Sequence, residues 1–264
     1  MQLGFSTVMY EKTGLPYHRI VEKASALDYQ GIELNFKEWP SELEIDPIKK
    51  ALRKTGVKVA AVGTRHLYVT HGIYFASPNS DVRKRAFSYM TDCMSIAKEL
   101  DCGIVQAGWA FQGSKLEVTY EDAWNQAVKS LRQVSQLCRW YGMVFVMEFA
   151  CRKNAGLVNT MADALRMLDE VGEDNVLVMA DVFHIHAEND SLEDTVLQAG
   201  ERLAYVHLSD NDRLTPGKGV IDFKAFIDSL KKIGYDGPMV MEFEPDSNID
   251  DSLRDASEYI RKFM

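Results

Sequence analysis

Eight short apolar runs, separated by segments of helical period, narrow the folds open to this chain more than any other feature. The runs are Leu3–Val8, Gly31–Phe36, Val57–Val62, Gly103–Ala107, Met143–Met147, Val176–Ala180, Leu203–Val206 and Pro238–Met241. Between them apolar residues recur at three- and four-residue steps. Tyr120, Trp124, Ala127, Val128, Leu131, Val134, Leu137 and Tyr141 form one such stripe, and Val82, Ala86, Phe87, Met90, Cys93, Met94, Ala97 and Leu100 form another. That spacing is one face of an α-helix. Divided among eight units, 264 residues give 33 each, about the size of one strand–helix repeat in a (β/α)8 barrel. The rival is a doubly wound sheet, but the first run leads into Met9-Tyr10-Glu11-Lys12-Thr13-Gly14, which lacks the G-x-G-x-x-G fingerprint. The reading is an α/β fold, a single (β/α)8 TIM barrel domain over residues 1–264.

Boundary signals fit this parsing. Thr160 with Asp163, and Ser191 with Asp194, have capping-box spacing with Asp in place of the usual Glu. Asp46-Pro47 fits an N-cap followed by the first helical position, and Gly234 follows the last apolar residue of a helix over Phe223–Ile233. No Pro/Gly/Ser-rich linker interrupts the chain.

Composition removes several function classes. Thirty basic against 39 acidic side chains leave a formal charge of −9, which opposes a nucleic-acid partner because phosphate binding rests on clustered Lys and Arg. No stretch approaches the ~18 apolar residues of a membrane span. The opening residues lack a basic n-region, so no signal peptide is expected. Cys93, Cys102, Cys138 and Cys151 form no C-x-x-C pair; they read as reduced, buried thiols of a cytoplasmic protein.

The chemistry is concentrated where four later runs end. Met143–Met147 leads into Glu148, Val176–Ala180 into Asp181, Leu203–Val206 into His207 and Pro238–Met241 into Glu242. In a barrel the C-terminal strand ends form one ring, so these side chains surround one point despite separations of 33, 26 and 35 residues. Three carboxylates and an imidazole suit one divalent cation with open positions, Mn²⁺, Mg²⁺, Co²⁺ or Zn²⁺. Glu33 ends a similar run; it either faces the pocket or pairs with a neighbouring cation. His66 and His71 follow the third run and read as solvated loop histidines. Gln106 near the end of the fourth run, and Trp109 and Phe111 after it, either wall a polar substrate or pack as core and rim. His184, close behind Asp181, is placed to turn inward and donate to a substrate oxygen, while His186 reads as a surface residue. Arg213, in the long turn after His207, offers a cationic fork for a hydroxyl, carbonyl or enediolate oxygen. Gly217-Lys218-Gly219 reads as a plain turn rather than a phosphate loop.

These residues resemble a known family. His207-x-Ser-Asp-Asn-Asp-Arg213-x-x-Pro-Gly-Lys-Gly219, Asp181-Val-Phe-His184 and Met241-Glu242 look like the signature of the ketose 3-epimerases, within the xylose-isomerase-like barrel superfamily. The resemblance spans essentially the whole chain. It implies that Glu148, Asp181, His207 and Glu242 hold one divalent metal, usually Mn²⁺, that Glu148 and Glu242 double as the acid/base pair, and that His184 and Arg213 bind substrate oxygens. It also implies a homo-dimer or homo-tetramer. The family usually reads Glu-x-x-Asn-Arg-aromatic-Glu after the fifth strand; here Asn154 stands in place of the second Glu, which in the family contacts the sugar near C1. The expected activity is epimerisation of a ketose or ketose phosphate at C3 through a cis-enediolate. Aldose–ketose or sugar-phosphate isomerisation and inosose dehydration are sister reactions on the same scaffold. An abasic-site endonuclease and a non-catalytic sugar-binding barrel are readings from other classes.

Overall fold

Every one of the eight apolar runs is a strand in the computed structural model, which describes residues 1–246 and 248–264. The strands are β1 (Gln2–Ser6), β2 (Gly31–Asn35), β3 (Lys58–Gly63), β4 (Ile104–Ala107), β5 (Val144–Glu148), β6 (Val176–Asp181), β7 (Leu203–Leu208) and β8 (Pro238–Met241). They are hydrogen-bonded in sequence order as a closed barrel, with β8 paired in parallel to β1. Burial explains why the runs are continuous rather than alternating. All five residues of β2 are buried, and β1 exposes only its first. A parallel strand covered on both faces needs apolar side chains at successive positions.

Of the four strands that lead into candidate ligands, three extend beyond the run read from the sequence. β5 takes in Glu148, β6 takes in Asp181, and β7 takes in His207 and Leu208. The ladder hydrogen bonds therefore reach the polar residues themselves, and only Glu242 lies one position beyond its strand. β1 behaves in the opposite way. It stops at Ser6, because Thr7–Thr13 coil into a 3-10 helix and take Thr7 and Val8 out of the sheet.

Contacts are densest within two units. The first comprises Met1–Leu34, Glu44–Ala60 and Ala180–Met264. Its helices Tyr17–Ala26, Asp46–Thr55, Leu192–Ala199, Phe223–Lys232 and Ile249–Arg261 cover a core that includes Leu3, Phe5, Ile20, Tyr205, Phe226, Met239 and Leu253. Asp46 is the first helical residue rather than the cap, which is Ile45; the Pro47 ring sits in the first turn, where its missing N–H costs nothing. The second unit comprises Asn35–Leu43 and Ala61–Met179. Helices Ser80–Glu99, Tyr120–Tyr141 and Met161–Val171 bury Met90, Ala127, Leu131 and Val134 of the stripes read from the sequence, together with Tyr89 and Met167. All four cysteines are buried thiols. Among the described residues no helix is long and apolar enough to cross a membrane.

The expected capping box is complete at Met161–Val171. Thr160 Oγ1 accepts from the Asp163 N–H at 3.1 Å, and Asp163 Oδ2 accepts from the Thr160 N–H at 3.1 Å. At Leu192–Ala199 Ser191 Oγ accepts from the Asp194 N–H at 3.2 Å. Thr160→Ala should lower stability by about 1 kcal/mol, read as a lower urea midpoint with an unchanged m-value.

Candidate active site

The site grows out of strand register. Parallel pairing sets Ser6 beside Glu33 and Phe5 beside Met241, the residue before Glu242. On the other flank of β8, Leu208 pairs with Met241, which brings His207 to the same level. Glu33 is fully buried. Its Oε1 accepts from Ser6 Oγ at 2.8 Å, and its Oε2 lies 2.8 Å from His207 Nε2. With Glu33 as a carboxylate, which only accepts, Nε2 donates to it, and Nδ1 is the ring nitrogen left to face the other groups. That nitrogen lies 3.5 Å from Glu242 Oε2 and 3.7 Å from Asp181 Oδ2. Glu33, His207 and Glu242 thus present ligand-type atoms within 4.8 Å of one another.

Asp181, 1% exposed, ends β6 and caps the helix Val182–Ala187: Oδ1 accepts from the Phe183 N–H at 2.8 Å. Oδ2 is cut off from solvent and has no aligned hydrogen bond, although Arg213 Nη2 stands 2.9 Å away as a charge partner. Burial alone would raise the Asp181 pKa, but the Arg213 guanidinium first, with the neighbouring His184 and His207 rings, outweighs it and holds the carboxyl well below the ordinary range. His184 is buried in the first turn of that helix, behind Asp181, whereas His186 is exposed.

Arg213 joins two of the carboxylates. Nη2 faces Asp181 Oδ2 at 2.9 Å, Nη1 faces Glu242 Oε2 at 3.0 Å, and the guanidinium lies 4.5 Å over the Phe183 ring. The backbone that aims it is unusual, because Asp212 and Arg213 both have positive φ, 55° and 60°. Such non-glycine conformations persist where the surroundings impose them. Here the Arg213 carbonyl accepts from the Glu244 N–H at 2.7 Å. The rest of the loop is wrapped around Asp210, whose carboxylate accepts from the N–H groups of Asn211, Gly217 and Ile221 at 2.9–3.0 Å. A Cβ at Gly219 would fall 2.3 Å from Asp210 Oδ1. Gly217-Lys218-Gly219 is therefore a turn built on a buried aspartate, and Lys218 Nζ is paired with Asp246 at 2.9 Å.

Glu148, half-buried at the end of β5, is in register with Met179, two residues before Asp181. Its Oε2 lies over Gly108, where an added Cβ would fall 2.1 Å from it. Trp109 follows that glycine, half-buried, with the Arg65 guanidinium 5.4 Å from its ring centroid. Phe111 is wholly core, and Gln106 is buried. Asn154 is half-buried in the turn after β5, its N–H donating to the Cys151 carbonyl at 2.7 Å. His66 departs from the sequence expectation. It is 2% exposed, because residues 65–69 coil into a helix that turns it inward, and its Nδ1 is 2.9 Å from Thr70 Oγ1. Ser6 and Gly108 were not distinguished by the sequence, and Asp210 appeared there only as part of the signature around Arg213; an isolated Ser or Gly next to a strand end carries no pattern of its own.

Residues 21–263 match the family described as Xylose isomerase-like TIM barrel. The chain belongs to that family. Among its relatives, the D-psicose 3-epimerase of Ruminiclostridium cellulolyticum is 28% identical over 236 residues, covering 86% of this chain and 78% of that protein. The L-ribulose 3-epimerase of Mesorhizobium japonicum is 25% identical over 84% of this chain and 73% of its own length. In fold, the chain is similar to the crystal structure of D-psicose 3-epimerase with D-tagatose from Clostridium cellulolyticum, with a TM-score of 0.89, 22% identity, and coverage of 100% of this chain and 99% of that one.

The Glu33 contact makes a prediction for this Xylose isomerase-like barrel that needs no substrate. Long-range ¹H–¹⁵N spectra at neutral pH should show His207 protonated at Nε2, and Glu33→Gln should remove that preference. An Nδ1–H tautomer in the unsubstituted protein would contradict the assignment.

Proposed function

We propose that this protein epimerises a ketose or ketose phosphate at C3, with the whole chain acting as one barrel domain and one divalent ion, Mn²⁺ in first place, held by Glu148, Asp181, His207 and Glu242. The observation that carries the reading is the meeting of Asp181, His207 and Glu242 around the imidazole Nδ1, at 3.5–3.7 Å. The epimerases among its relatives support the same choice.

The donor set fits such an ion. Asp181 Oδ2 is desolvated without an aligned hydrogen bond, Asp181 is kept ionised, and Glu33 occupies the other nitrogen of His207. A carboxylate behind a ligating imidazole fixes its tautomer and orientation. Carboxylate oxygens with one imidazole suit a cation of intermediate hardness. When bound, the ion supplies Lewis-acid polarisation of the C2 carbonyl, which acidifies the C3 proton.

The side chains do the proton work. Inversion at C3 requires one group to remove the proton from one face of the sugar and a second to return a proton to the other face of the planar enediolate. Glu148 and Glu242 are assigned to these roles; the reaction needs one of them ionised while the other carries a proton. His184, Arg213 and Asn154 are assigned to substrate oxygens. Arg213 Nη1 lies 3.0 Å from the Glu242 carboxylate, so it reaches the same point as one of the two proton-transfer groups.

Glu148→Gln and Glu242→Gln should each fold with an unchanged melting profile and lose turnover by about 10²–10⁴-fold; near-normal turnover in either would remove that residue from the pair. Dialysis against EDTA should abolish turnover, and Mn²⁺ should restore it. Full activity after chelation, with no metal by elemental analysis, would exclude the metal-dependent reading.

A further inference from the structure

One cationic side chain on the strand ends takes no part in the arrangement described so far. Arg65 follows Thr64 at the end of β3, and its backbone is pinned on both sides. Thr64 donates to the Gln106 carbonyl through N–H at 3.2 Å and Oγ1 at 3.0 Å, and the Arg65 N–H donates to Asn35 Oδ1 at 3.4 Å. The side chain, by contrast, makes no hydrogen bond or ion pair among the described residues, and its Nε is cut off from solvent. Beside it Trp109 Nε1 is also cut off from solvent with no acceptor. The guanidinium sits 5.4 Å from the indole centroid. Trp109 directly follows Gly108, over which the Glu148 carboxylate lies.

In a chain with 39 acidic and 30 basic residues, several guanidinium groups find carboxylates. Arg139 pairs with Glu173 and Asp174, Arg166 with Glu170, and Arg213 with Asp181 and Glu242. Arg65 has none, yet the structure withdraws its Nε from water. A buried donor left without an acceptor keeps its full desolvation cost. Two such donors side by side, one of them charged, call for an acceptor from outside the chain that carries negative charge.

We propose that Arg65 and Trp109 form a subsite for an oxyanion, a carboxylate or phosphate carried by the sugar away from its reacting carbon. The inference rests on the reading of this pocket as a sugar site and deepens it by naming the substrate class. The guanidinium fork matches either oxyanion, and the indole N–H, a donor only, adds a third hydrogen bond. A neutral hydroxyl would satisfy a donor but leave the charge uncompensated.

The test reads binding rather than turnover. Mn²⁺-saturated protein is titrated calorimetrically with D-fructose, D-fructose 6-phosphate and D-fructuronate. One of the two anionic sugars should bind at least about tenfold more tightly than D-fructose, the margin of a charge-assisted contact. That ratio should fall to near one in Arg65→Gln and shrink two- to fivefold in Trp109→Phe, which keeps the ring and removes the N–H. Arg65→Lys, which keeps the charge and loses the fork, should retain part of it, and melting curves confirm that each variant folds. Equal binding of neutral and anionic sugars would overturn the proposal. So would a preference that survives Arg65→Gln, since the anion would then be held elsewhere. An anionic sugar that binds through Arg65 without being epimerised would uphold the subsite and refute the epimerase reading; epimerisation of free ketoses with no anionic preference would do the reverse.

Discussion

The buried hydrogen bond between Glu33 and His207 is the contact on which the rest of the site depends. Glu33 is fully enclosed, and Ser6 and His207 each meet one of its carboxylate oxygens, which offsets the cost of burying it. Breaking such a pair from one side costs about 3–5 kcal/mol, because a charge is left uncompensated. In return the imidazole is held in one tautomer and one orientation. Its remaining nitrogen is aimed at Asp181 and Glu242, which makes three residues from three strands act on one point.

Arg213 is the counterweight. Two carboxylates so close to one imidazole repel each other, and the guanidinium fork bridges them. It reaches that place through two successive residues in left-handed conformation, with a loop organised by Asp210 beneath it. Strain in the backbone and order in the loop are here parts of one device: the Asp210 hydrogen bonds fix the chain where the conformations of Asp212 and Arg213 would otherwise relax.

The strands, and the polar residues that end four of the runs, were legible because parallel strands buried on both faces are written as unbroken apolar runs. Glu148, Asp181, His207 and Glu242 stand out for the same reason: each is the first residue that breaks a run. The capping box at Thr160 was legible because its spacing is local. What was not legible depends on partners distant in sequence. Ser6 matters only because register sets it beside Glu33, and Gly108 only because the Glu148 carboxylate lies over it. His66 read as solvated, but a five-residue helix whose formation no periodicity announces turns it into the core. For Glu33 the residues left two roles open, and only the distance to His207 shows that it pairs with the ring.

The central claim is that this constellation moves the proton at C3 of a ketose. Solvent exchange tests it most directly: Mn²⁺-loaded protein is incubated in D₂O with free and phosphorylated ketoses, and deuterium is located by NMR. The account predicts label at C3 together with a new C3 epimer. Label at C1 with an aldose product would make the enzyme an aldose–ketose isomerase, and no exchange in any sugar despite bound metal would contradict the account altogether.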